Sequence, residues 1–134
     1  MAKKSAKENP EFDYKTIKTF EDACKKESID PLLFPDVSII PEGFRSPIIN
    51  AFKLMVIFKA INNGWVPDWN NWNQYKYYPW FRVSSGGVGF SSSDYYSTDA
   101  SASVGSRLCT DSSEKALYIA SQFENEYKEY FLYL

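Results

Sequence analysis

Near the end of the chain, apolar side chains recur at three- and four-residue steps, at Ala116, Ile119, Ala120, Phe123, Tyr127, Tyr130 and Phe131. Glu114, Glu124, Glu126 and Glu129 hold the opposite side. That period predicts one amphipathic helix over 113–131, capped by Ser112 and packed on a sheet. Over 47–62 the apolar positions are denser. Ile48, Ile49, Phe52, Leu54, Met55, Val56, Ile57, Phe58, Ala60 and Ile61 cover more than one stripe and leave Asn50, Lys53 and Lys59 as a polar margin. A helix apolar on most sides is a central helix. Ser46-Pro47 reads as its cap and first residue, and Asn63-Gly64 as its stop.

Upstream, Thr19-Phe20-Glu21-Asp22 has the form of a capping box, which predicts a short helix from Phe20 to about Glu27. The connector over 29–44 holds Pro31, Pro35 and Pro41, and each proline biases its predecessor away from helix. It is too apolar, with Ile29, Leu32, Leu33, Phe34 and Ile39, to float free, and should lie across the core.

The alternation changes to a period of two over 77–83, 88–91 and 104–109, which reads as three short strands, the first two joined by the turn Ser84-Ser85-Gly86-Gly87. The expected fold class is therefore α+β: a small antiparallel sheet of about three strands on two main helices, plus the short N-terminal helix. If Phe81 and Val83 face the helices, Tyr78, Trp80, Arg82 and Arg107 face outward. Such a face could stack a base, a sugar or a partner's side chains. Alternatively the loop over 65–74, with Trp65, Trp69 and Trp72, covers these aromatics and they are core. Trp80, in a strand, is expected to hold the fold, whereas Trp69 and Trp72 lie in a loop among Asp68, Asn70, Asn71 and Asn73, and Trp72 is expected to be partly exposed.

Composition narrows the functional classes. The 134 residues suit one domain over 14–134, and residues 1–13, lysine-rich and without period, read as a disordered tail. Formal net charge is −2 with no basic stretch of the kind that tracks phosphates. Cys24 and Cys109 lie far apart and read as reduced, half-buried thiols. No apolar run approaches the roughly 20 residues that span a bilayer, so the expectation is a soluble cytoplasmic protein without membrane contact.

The chain contains no histidine, which removes serine and cysteine nucleophiles activated by His, HExxH helices and His-ligated zinc. Asp68, Asp94 and Asp99, the acids of the central region, fit turn roles better than a carboxylate pair. Gly86-Gly87-Val88-Gly89 precedes a strand and matches no phosphate-binding loop. No catalytic residue, metal or cofactor is expected.

At Tyr75-Lys76-Tyr77-Tyr78-Pro79-Trp80-Phe81, Gly87-Val88-Gly89-Phe90, Val104-Gly105-Ser106-Arg107-Leu108-Cys109 and the helix over 113–131, the chain resembles a family of small uncharacterised proteins from gut Bacteroides-type bacteria and their phages. The resemblance runs from about Phe20 to the end and implies a cytoplasmic or phage-encoded protein, with no activity and no site residue carried over. The leading expectation is a non-enzymatic binding protein that engages a protein partner or itself through Trp69, Trp72, Tyr78, Trp80, Arg82 and Arg107. Two alternatives stand beside it: single-stranded nucleic acid bound on the same face, and, least favoured, a carboxylate enzyme.

Overall fold

The computed structural model describes residues 11–71, 73–84, 87–90 and 106–132, of which 82–84, 87–90 and 106 are described by backbone alone. Its elements in chain order are α1 (Phe20–Glu27), α2 (Glu42–Asn62), β1 (Phe81–Ser84), β2 (Gly87–Phe90), α3 (Ser113–Gln122) and α4 (Glu124–Phe131), with 3-10 turns at Tyr14–Thr16 and Ser106–Leu108. The 21-residue α2 is the axis: α1 packs on one part of it and α4 on another.

The three-stranded sheet of the α+β expectation does not form. The chain is mostly helical, and among the described residues strand pairing amounts to the antiparallel hairpin β1–β2, in register Phe81 to Phe90, and one isolated bridge between Tyr77 and Thr110. The expected third strand fails for a local reason. Ser106–Leu108 coils into a 3-10 turn, so its alternation maps onto a turn that buries Leu108 and exposes Arg107. Only Thr110 then meets Tyr77, by a reciprocal pair of backbone bonds of 2.9 and 2.8 Å. Val104 and Gly105 lie outside the described residues.

α1 forms where its caps place it. The Thr19 side chain accepts from Asp22 N at 3.0 Å while the Asp22 carboxylate accepts from Thr19 N at 3.2 Å. Its C-terminus turns through Ser28 in the left-handed region, φ 58°, and Ile29 N returns to Cys24 O at 2.9 Å. Phe20, Ala23 and Cys24 are buried against Leu54, Ile57, Phe58 and Ile61 of α2. Of the stretch read as a tail, Met1–Pro10 lie outside the described residues, Phe12 packs on the core, and the Asp13 carboxylate caps the first 3-10 turn by accepting from Lys15 N at 2.9 Å.

α2 begins five residues before the expected Pro47, at Glu42 after Pro41, whose φ of −54° already suits helix entry. Ser46 is thus no cap. Its hydroxyl donates to Glu129 Oε1 at 2.5 Å and ties α2 to α4, while Asn50, expected on the polar margin, is buried and donates to Ser46 O at 2.9 Å. Pro47 sits inside the helix, where its missing N–H leaves the Gly43 carbonyl one helical bond short. The stop is as expected: Asn63 and Gly64 both take positive φ, 48° and 95°.

The single terminal helix expected over 113–131 is two. Phe123 departs from helical geometry at φ −116° and ψ 33°, and the bend keeps its ring only 1% exposed in the core. Tyr118 OH donates to Ile17 O at 2.7 Å and so fastens α3 to the N-terminal turn. Tyr127 on α4 is buried with its ring centroid 4.8 Å from Phe81, which anchors the hairpin.

Candidate functional site

α2 is apolar on two opposite sides. Leu54, Ile57 and Ile61 face the core and are fully buried, whereas Phe44, Ile48 and Met55 lie at helical steps on the other side and are 55%, 39% and 41% exposed. Half-buried Phe52 and the exposed Lys59 complete that outer stripe. Past the Asn63-Gly64 turn the chain doubles back, and Trp65, Val66, Pro67 and Trp69 form a wall beside it. The result is an open groove of about 570 Å³, floored by Phe52, Met55, Val56 and Asn62, with Lys59 and Arg107 supplying positive charge. That volume is within the usual range of ligand-sized clefts, roughly 300–1,000 Å³.

The wall is rigidified from below by polar groups. Asp68 Oδ1 accepts from Asn70 N at 3.0 Å, Gln74 Oε1 accepts from Asp68 N at 2.6 Å, and Asn71 Oδ1 accepts from Asn73 N at 2.9 Å. Lys76, only 2% exposed, donates to Gln74 O at 2.9 Å and Asn71 O at 3.3 Å, and its ammonium lies 5.1 Å from the Trp69 ring centroid. A buried lysine satisfied by carbonyls and an aromatic face is a structural clamp on this loop.

At the floor, Asn62 donates to Cys109 O at 2.9 Å, joining α2 to the segment that carries Arg107. Among the described residues its Oδ1 has no hydrogen-bond partner. Burial pushes the Cys109 thiol up to about 11, partly offset by the positive charge of Lys76, so this sulfur stays protonated and unreactive at neutral pH. Burial, with Glu21 and Asp30 adding in the same direction, likewise raises Cys24.

The residues expected to share one face are therefore divided. Trp69 and Arg107 meet in the groove. Tyr78 and Trp80 are not among its lining residues; Tyr78 is half-buried and Trp80 is 52% exposed, and both precede β1, outside the strand expected to carry them. Arg82 is opposite Gly89 in the hairpin register, and Trp72 lies outside the described residues. Among the described residues no third strand sets Arg107 beside Tyr78 and Trp80 on the sheet face expected to stack a nucleic-acid strand, because Arg107 belongs to a 3-10 turn. Asp68 is engaged in its turn, and Asp94 and Asp99 lie outside the described residues. Met55, Lys59, Val66 and the clamping Lys76 escaped sequence reasoning. The signal for the first two was present as an excess of apolar positions on α2 beyond what one core face needs.

Comparison of the chain with protein-family models, curated proteins and solved structures finds no match. Among the described residues no group of three or more His, Cys, Asp or Glu side chains converges as a metal site, and no helix is long and apolar enough to cross a membrane.

Proposed function

We propose that this chain is a non-enzymatic interaction protein that docks apolar side chains of a protein partner in the α2 groove. The observation that carries the reading is the groove itself: Met55, Val66 and Trp69 present apolar surface to solvent beside the cations Lys59 and Arg107. Leaving large apolar side chains in water on the outer side of an already buried helix forgoes about 25 cal/mol for each Å² left uncovered, which a docked partner recovers. Among the described residues the two charged groups of the lining are both cations, a set that suits binding an anionic group better than proton transfer between an acid and a base. Its chemistry suits an aliphatic or aromatic residue next to an aspartate or glutamate. The family resemblance adds a context in which the partner is a host or virion component.

Panning a randomised peptide library against the full chain tests this. Enriched peptides should combine aromatic or aliphatic residues with acids and should lose binding to Met55→Glu, which places a negative charge in the floor. Enrichment of nothing, or of peptides that bind Met55→Glu equally well, would overturn the reading.

A further inference from the structure

The groove is not alike at its two ends, and the difference bears on how a partner enters it, given the reading of the groove as a protein-docking site. Asn63 and Gly64 join floor to wall, and Trp65 N donates to Asn62 O at 2.9 Å, so the chain itself closes this end. Along the floor Phe52 and Met55 come first, Lys59 lies about one turn before the close, and Asn62 lies at it. Arg107 arrives at the same end, because Asn62 Nδ2 holds, at 2.9 Å, the carbonyl of Cys109 two residues further on. The groove therefore runs from an apolar mouth to a cationic closed end over about 15 Å, the helical rise from Phe52 to Asn62.

We propose that the groove takes the C-terminal end of a partner chain, with the terminal carboxylate between Lys59 and Arg107 and the last apolar side chain on Met55 and Trp65. An aspartate or glutamate within a partner brings chain on both sides of its carboxylate, and the closed end crowds one of them. A terminal carboxylate brings chain on one side only. An extended segment of about four residues, at roughly 3.3 Å each, fills the remaining length. Its last and third-last side chains point the same way, so the second of these lies toward Phe52 and Trp69 at the mouth.

Both cations have charge to spare. Glu27 lies 3.8 Å from the Lys59 ammonium but also 3.5 Å from that of Lys26, so one carboxylate serves two lysines, and the Lys59 side chain stays 71% exposed. Arg107 is exposed and enters no ion pair among the described residues, and its planar fork suits two-point contact with a carboxylate. Asp68, the acid of the wall, accepts from Asn70 N within its own turn and is not in the lining. Asn62, 9% exposed, spends its Nδ2 on Cys109 and keeps beneath the lining an Oδ1 that is unbonded among the described residues. A peptide end carries backbone N–H donors to that acceptor's end of the groove, which a simple fatty acid does not.

Fluorescence anisotropy tests this with N-terminally labelled hexapeptides that carry leucine, phenylalanine or tryptophan at the last and third-last positions. Each is made as the free acid and as the carboxamide, and circular dichroism confirms that every variant of the full chain is folded. At least one free acid should saturate the chain, and its amide should bind at least about tenfold more weakly, since a charge-assisted contact is lost. Lys59→Gln and Arg107→Gln, both at exposed positions, should each narrow that gap by roughly threefold, and the double variant should close it. Met55→Glu should weaken both forms. No binding by any free acid, an amide that binds as well as its acid, or a gap that persists in the double variant would each overturn the proposal. Decanoate binding more tightly than every peptide would also overturn it and give the groove to a free amphiphile. If acid and amide bind alike while peptides selected from the library still bind wild type and not Met55→Glu, the docking groove stands and the chain end is excluded as its occupant.

Discussion

Lys76 and Trp69 form a cation–π pair across the loop that walls the groove, with the ammonium 5.1 Å from the ring centroid and bonded from behind to the carbonyls of Asn71 and Gln74. Lys76→Met keeps the stem and removes the charge, so both carbonyls lose a charge-assisted donor. The expected cost is about 2 kcal/mol in urea unfolding, with a red shift of tryptophan emission as the wall loosens. An unchanged midpoint and spectrum would show that the loop is held by its asparagine turns alone.

Phe81 and Trp80 are neighbours with opposite fates. Phe81 is 7% exposed between Tyr127 and Phe131, whereas Trp80, the larger ring and the one expected from sequence to hold the fold, is 52% exposed. Phe81→Ala should cost about 3 kcal/mol and Trp80→Ala under about 1 kcal/mol. Denaturant titrations that rank them the other way would contradict this packing of the hairpin.

Alkaline pH should weaken the fold through Cys109 and Tyr127. Burial raises both above their ordinary values, Cys109 to about 11 from 9.0. The unfolded thiol ionises near 9 while the folded one holds its proton, so the unfolded state binds fewer protons and stability falls as pH rises from about 9 to 11. For Cys109 the full effect is on the order of 2 to 3 kcal/mol. Cys109→Ala should flatten the fall in melting temperature over that range, and a slope equal to wild type would locate the alkaline sensitivity elsewhere.

Ser28 ends α1 at φ 58°, a conformation that disfavours a side chain, and glycine adopts it freely. Ser28→Gly should raise stability by about 0.5 kcal/mol, seen as a small increase in the urea midpoint with unchanged slope. A loss would mean that the Ser28 side chain contributes more than its backbone strain costs.

What could be read from sequence follows how local each signal is. The Thr19 capping box and the Asn63-Gly64 stop are set by neighbours within a few residues and took their expected form, and a hairpin forms where one was expected, although β1 begins at Phe81 and not at Tyr77 and the pairing takes in Ser84 and Gly87 of the expected turn. The inward turn of Phe81 and outward turn of Trp80 also follow local alternation, although the consequence for stability was drawn from ring size and missed burial. Long-range choices were not legible. Residues 104–109 alternate as a strand would, yet Ser106–Leu108 coil into a 3-10 turn and Asn62 holds the Cys109 carbonyl that follows it. Phe123 fits a continuous helix by period, and only its demand for a core position bends α3 away from α4. The groove depended on a loop folding back on α2. No periodicity encodes that return, and among the described residues Trp69 and Arg107 are the expected site residues that line it.

The sharing of one core face of α2 between α1 and α4 also has a consequence during protein synthesis. α1 is made first and is ready to cover its part of the helix as soon as α2 emerges, but α4 lies at the far end of the chain. At ordinary elongation rates the ribosome needs on the order of 3 to 12 s to travel from Asn62 to Glu124, and for that time the surface awaiting Phe123 and Tyr127 is open to water. Together with the outer stripe, it makes α2 apolar on both sides on the nascent chain, and hence the segment that a ribosome-associated chaperone would meet first.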